Sequence, residues 1–384
     1  MTRIAFTADL HIDAYGSRID PATGLNARLL DYLATLRFVA DEATRQSASA
    51  LVVAGDFTER RHPAPWLVAK IRDALSGGPS AQLYLRGNHD GEIDGRSIVS
   101  ILDDGYGSSL LDESGRLGVS RPQLVPVAFD AVVAAVPYLD RHWLRAQPGF
   151  QSVPDADLFR VLGDQFLTIA RGLYAEARRD YPDAGVVLVC HQTLAGAAMS
   201  DSQRAFLGDV SLVVDSRALA DVGFEAVVAG HLHRHQVVVP SDRPVLYAGS
   251  IERVDFGEEG EEKGFVVADV GPGRFDWEFV PTPARRFVTL REECGYNLDD
   301  VRDAIVRCVD VDPELDVAHL RSMLEADGAF EVVSIQTRRP ESTVAAGGLS
   351  EALAPAEALE EYFVADPDRE VLVGRGRELL AEVA

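Results

Sequence analysis

Gln82-Leu83-Tyr84-Leu85-Arg86-Gly87-Asn88-His89-Asp90 decides how the rest of the chain is read. A short apolar run, 82–85, stops at a glycine and is followed by an amide, an imidazole and a carboxylate in consecutive positions. A loop so composed is given over to polar chemistry rather than to turning alone, which makes it a candidate site at the end of a predicted strand.

Outward from this stretch the pattern recurs. Residues 3–8 read as a buried strand ending in Asp9-Leu10-His11, and residues two apart on an extended chain point the same way. Residues 50–54 form the next predicted strand, closing on Gly55-Asp56. Between them Leu29, Leu33, Leu36, Val39, Ala40 and Ala43 recur at helical spacing within 25–46, and 65–75 reads as a second helix. Strand, helix, strand, helix, strand predicts a parallel α/β sheet, and such sheets bind ligands at the carboxyl ends of their strands. Further on, 186–189 ends in Cys190-His191-Gln192 and 225–229 in Gly230-His231-Leu232-His233, so five strand ends carry potential ligands.

The intervening chain offers two apolar runs, 124–129 and 131–136, and a long charged helical pattern at 156–179. After His233 come shorter β patterns at 236–239, 245–248, 264–270 and 275–280, from which the sheet is predicted to finish with mainly antiparallel strands. The character changes around Pro281 to Pro283. The expected organisation is a first domain over 1–283, a small α+β domain over 284–341, and a linker with C-terminal helices over 342–384. Within the small domain 285–290 and 330–336 read as strands and 298–309 as a helix; 355–363 and 369–383 read as the terminal helices.

Composition narrows the classes. The 384 residues are 47% apolar, enough for a sizeable core and more than one domain. No apolar run approaches the roughly 20 residues of a membrane-spanning helix, and the N-terminus lacks a signal-peptide pattern, so a cytoplasmic location without membrane association is expected. Cys190, Cys294 and Cys308 are too scattered for a disulfide framework or a paired zinc motif, and are expected as buried thiols. The net charge of −24 argues against a general nucleic-acid grip, although bound divalent ions can attract phosphate locally.

Taken together, Asp9, His11, Asp56, Asn88, His191, His231 and His233 offer carboxylate, amide and imidazole ligands, a set suited to manganese, iron or zinc. Asp56, alone after its glycine, is the natural bridge between two ions, an arrangement suited to hydrolysis of a phosphate ester. A lone Asp-x-His or Gly-Asp means little; the order of all five clusters carries the reading. His62, His142, His235 and His319 fall outside them and are expected in surface or structural roles.

Asp9-x-His11, Gly55-Asp56, Gly87-Asn88-His89-Asp90, His191 and Gly230-His231-x-His233 resemble the motif series of the calcineurin-like metallophosphoesterases over about the first 235 residues. Tyr247-Ala248-Gly249-Ser250-Ile251-Glu252-Arg253-Val254-Asp255-Phe256, the acidic 258–262 and Lys263-Gly264-Phe265 are similar to the SbcD-type DNA repair exonucleases. So is 277–287, with Pro281-x-Pro283 and Arg286. The resemblance implies a β-sandwich of mixed sheets flanked by helices, a capping domain at 284–341 and terminal helices that bind an SbcC-type, SMC-like ATPase. It implies one ion on Asp9, His11, Asp56 and His233 and a second on Asp56, Asn88, His191 and His231. His89 would be the catalytic histidine and Asp90 the carboxylate that orients it. Manganese-dependent exonuclease and endonuclease cleavage of DNA, by a homodimer within a heterotetramer, is the implied activity. A phosphodiesterase or phosphatase acting on small nucleotides or phosphoproteins would share every ligand, and a non-catalytic scaffold would have no need of them.

Overall fold

The computed structural model describes residues 1–91, 97–103, 115–200, 203–204, 212–291, 296–338, 359–360, 362–363 and 369–383. The predicted strand and helix alternation opens it: β1 (Thr2–Thr7), α1 (Ala27–Arg45), β2 (Ala50–Val53), α2 (Pro65–Ala74) and β3 (Ala81–Leu85). Asn26 starts α1 by accepting from the Leu29 amide at 3.0 Å, and Pro65 occupies the first turn of α2, where its missing N–H is no loss. The three strands pair in parallel, joined on the far side of β3 by β4 (Gly115–Val119).

A second sheet begins with the hairpin β5 (Gln123–Ala128) and β6 (Ala131–Val136). The helix Arg141–Ala146 and the long helix Leu158–Asp180 lead to β7 (Gly185–His191). A minor pair, β8 (Thr193–Leu194) with β9 (Val213–Val214), precedes β10 (Ala226–Gly230), β11 (Gln236–Val239) and β12 (Val245–Tyr247). The chain then returns to the first sheet as β13 (Gly264–Gly271), antiparallel to β1, and β14 (Arg274–Pro281). Two six-stranded sheets result, ordered β14-β13-β1-β2-β3-β4 and β11-β12-β10-β7-β6-β5. The antiparallel finish holds for β11, β13 and β14, whereas β12 lies parallel to β10.

The two-residue period of the strands explains the layers. Ile4, Phe6, Val52 and Leu83 face Val133, Val187 and Val228 in one core between the sheets. Their neighbours Ala5, Leu51, Val53 and Tyr84 face the opposite way, against α1 and α2. On the far side of the second sheet Leu162, Phe166 and Ala170 of Leu158–Asp180 cover Val186 and Leu188. The result is a mixed α/β sandwich with helices outside both sheets, the fold class expected.

Beyond it, β15 (Phe287–Arg291), β16 (Ile305–Val311) and β17 (Glu331–Thr337) form a small parallel sheet. The helix expected over 298–309 stops at Val301. Asp303, at φ 56°, turns the chain, and the branched residues Ile305, Val306 and Val309 that follow suit a pleated strand better than a helix. Leu298, Val301, Ile305 and Cys308 also match helical spacing, so the apolar pattern alone does not separate helix from strand here. The helix of this unit is Val317–Ala326 instead, capped by the Asp316 carboxylate on the Ala318 and His319 amides.

The terminal helix Arg369–Val383 includes Gly374 and Gly376. A Cβ on Gly376 would stand 2.7 Å from Leu359, so the glycine permits that contact. Most of the expected linker and the expected helix start at Pro355 lie outside the described residues. No helix among the described residues is long and apolar enough to cross a membrane. Cys190 and Cys308 are buried free thiols, and Cys294 lies outside the described residues.

Candidate metal centre

β1, β2, β3, β7 and β10 run parallel within their sheets, and their C-terminal ends bring every proposed ligand to one place. Three constellations have ligand atoms within 4.8 Å of one another: Asp9, His11 and His233; His11, Asp56 and His89; Asp56, His191 and His231. Asn88 joins the last, its Oδ1 2.8 Å from His231 Nδ1 and 3.0 Å from His191 Nε2. Asp56 and His11 each belong to two constellations, and Asp56 Oδ2 lies 3.2 Å from His191 Nε2 and 3.6 Å from His11 Nε2, consistent with a bridging place for the carboxylate.

The backbone is bent sharply where the ligands leave it. Asp9, His11, Asp56 and His231 all have positive φ, at 51°, 40°, 55° and 98°, a region in which aspartate, asparagine and histidine are enriched among non-glycine residues. The turns brace one another: Asp9 N donates to Gly55 O and His11 N to Asp56 O, both at 3.0 Å. His231 N donates to the Asp9 carboxylate at 2.8 Å. At Gly87 a side chain would collide with the Asp56 carboxylate; only glycine lets β3 end so close to β2.

Asp90 does something other than the orienting of His89 expected from sequence. Fully buried, its carboxylate accepts from the amides of Asp56 at 2.8 Å, Phe57 at 2.9 Å and Gly87 at 2.9 Å. Burial and then the nearby Asp56 charge push its acid up to about 7. Three amides aimed at one carboxyl leave it no reach toward the imidazole. The His89 ring instead places Nδ1 3.0 Å from the Glu59 carbonyl and 3.6 Å from that residue's carboxylate. Asp90 is the clasp that holds the β2 and β3 loops together.

The donor and acceptor arrangement fits divalent cations. His11 Nδ1 meets Glu59 Oε2 at 2.8 Å and His233 Nδ1 meets Glu258 Oε1 at 2.5 Å. With both Nδ1–H groups donating, the two Nε2 lone pairs face each other at 3.0 Å, a contact that needs a positive charge to be favourable. His191 donates from Nδ1 to Ala54 O at 2.7 Å, so its Nε2 lone pair faces Asn88 Oδ1 at 3.0 Å and Asp56 Oδ2 at 3.2 Å. His231 Nε2 is buried without a hydrogen-bond partner among the described residues. A proton can take the cation's place on His191 Nε2: burial disfavours a charged His191, yet Asp56 outweighs it and raises the imidazole to about 9. Burial likewise opposes ionisation of Asp56, but His191 and its neighbours hold it well below the carboxylate range. Burial and His191 push His231 down to about 3, keeping it neutral and able to serve as a ligand.

Two participants, Glu59 and Glu258, were missed from sequence. Glu258 is 1% exposed and holds His233 with one oxygen, while the other takes Lys263 Nζ at 2.8 Å and the Val254 amide at 3.1 Å. Burial alone would neutralise it; His233 and Lys263 overcome that and keep it ionised. Outer partners of ligating histidines fix the tautomer. Glu258→Gln should therefore weaken metal binding about 10–100-fold with little change in fold, measured by metal titration alongside circular dichroism; unchanged affinity would remove Glu258 from the site.

A sandwich of two sheets whose strand ends converge histidines and aspartates on cation positions defines a metal-dependent hydrolase. The chain belongs to the calcineurin-like phosphoesterase family, which it matches over residues 2–235; members of this family typically bind two divalent metals. A dimetal phosphatase from Danio rerio shares 12% identity over 73% of this chain and 97% of its own, at a TM-score of 0.48. A putative 5'-nucleotidase from Staphylococcus aureus shares 16% over 85% of this chain and 58% of its own, at a TM-score of 0.42.

Proposed function

We propose that the chain is a DNA end-processing nuclease of the SbcD type, hydrolysing phosphodiesters with two divalent ions, manganese being the ion the resemblance implies. The observation that carries this reading is where residues 249–265 lie, the stretch on which the narrower resemblance rests. Val254, Asp255 and Glu258 of that stretch line a cavity of about 210 Å³ with His11, Asp56 and His89. Its Lys263 completes the partner set of Glu258. This cavity has room for a reacting phosphodiester, the rest of the substrate lying outside it.

In this reading Asp9, His11, Asp56 and His233 hold one ion, and Asp56, Asn88, His191 and His231 the other. Such a pair supplies charge stabilisation at phosphorus and lowers the pKa of attacking water. His89, 32% exposed against 12% for His233 and 5% or less for His11, His191 and His231, is the group free to meet the substrate. The Glu59 carbonyl fixes its ring, and its imidazolium can protonate the leaving sugar oxygen. The unit at 284–341 would act as a cap over DNA. The helix Arg369–Val383, with Val371 and Leu379 exposed, would dock the SMC-like ATPase of a heterotetramer in the cytoplasm.

Manganese-dependent degradation of linear duplex DNA by the chain together with its ATPase is the expected result. Efficient hydrolysis of cyclic nucleotides or phosphoproteins with DNA left intact would replace this reading by the phosphodiesterase or phosphatase alternative.

A further inference from the structure

On the Asn88 side of the metal ligands a larger cavity of about 420 Å³ opens. Asn88 lines both cavities, and the Tyr138 ring, which lines the larger one, lies 5.8 Å from the His231 ring and 6.1 Å from that of His191. The floor is apolar, with Leu139 and Leu162 buried and Phe159 half-buried, and the rim carries Arg61, Arg86 and Arg141.

The rim gathers three arginines in an acidic molecule. The chain has 61 acidic residues against 37 basic ones, and several arginines elsewhere meet carboxylates, as Arg3 meets Asp269, Arg28 meets Glu252 and Arg285 meets Asp31. Arg61 and Arg141 have no hydrogen-bond or ion-pair partner among the described residues. Arg86 donates from Nη2 to Tyr138 O at 3.1 Å, while its enclosed Nε has no partner. Asp140, the acidic residue of the lining, directs its carboxylate to the Trp143 amide at 2.7 Å, capping the helix Arg141–Ala146.

We propose that this groove binds the nucleotide flanking the scissile phosphodiester. Its phosphate lies against Arg61, Arg86 and Arg141, and its base or sugar against Tyr138 and Phe159. Guanidinium groups bind phosphate by charge-assisted hydrogen bonds, and a basic rim with aromatic platforms is how single strands are held without sequence preference. A local arginine groove also explains how so acidic a chain could grip a polyanion. The inference rests on the nuclease reading for the identity of the strand.

The test uses full-length protein carrying His89→Ala, with manganese and a fluorescein-labelled single-stranded DNA 20-mer, and reads anisotropy across a salt series. Adding Arg61→Ala and Arg141→Ala should weaken binding at least about tenfold and reduce the slope of log affinity against log salt by about 1.4, two phosphate contacts for a single strand. Arg61→Lys with Arg141→Lys should keep the slope. An unchanged slope in the alanine variant, or equal loss in both variants, overturns the proposal. Cleavage by protein with His89 intact separates the two ideas. Arginine-dependent binding without DNA cleavage sinks the nuclease reading and keeps the groove; DNA cleavage with arginine-independent binding sinks the groove alone.

Discussion

His89→Ala should lower kcat on a phosphodiester by about 10²–10⁴-fold, the usual contribution of a positioned acid or base, while two divalent ions stay bound. The ring has the contacts for that role: Nδ1 is committed to the Glu59 carbonyl at 3.0 Å, and a third of the side chain opens to the cavity. His89 also has ring nitrogens near ligand atoms of His11 and Asp56, so a ligand role is the rival explanation. Metal content decides between them. Loss of activity with both ions retained assigns His89 to the substrate; loss of an ion assigns it to the metal.

Asp56→Asn should be the more damaging change. Asparagine tolerates the φ of 55° at this position and can still accept the His89 amide, which lies 2.8 Å from Oδ1. The substitution therefore isolates the charge. That charge sits in two of the three constellations, so its loss should weaken metal binding by more than the roughly 10–100-fold typical of outer partners and remove hydrolysis with it. Metal analysis at saturating manganese, with a thermal melt to verify folding, checks this; a variant retaining two ions would show that Asp56 does not bridge.

The grouping of the candidate ligands was legible because strand periodicity and strand ends are local properties. Asp9 and His11, or His231 and His233, announce themselves by spacing once the preceding apolar run is recognised. The partners behind them were not. Glu258 comes from an acidic run that in isolation looks like a solvated turn, and only its placement against His233 and Lys263 buries it. Asp90 was misread for the opposite reason. Its neighbour in sequence is His89, but a turn sends adjacent side chains apart, and two of its three amide partners lie 33 and 34 residues away in the β2 loop. The same limit produced the false helix over 298–309, where an apolar spacing compatible with a helix belonged to a strand entered through the left-handed turn at Asp303.

The bent backbones at Asp9, His11, Asp56 and His231 have a consequence for exchange of the ions. Conformations that ordinary residues seldom visit are held here by amide contacts to Gly55, Asp56, Asp9 and the Asp90 clasp, so the backbone that presents the ligands is shaped by folding and not by the cation. An arriving ion has only to draw side chains together on a frame already built, and a departing one lets imidazoles part without loops that must be reordered.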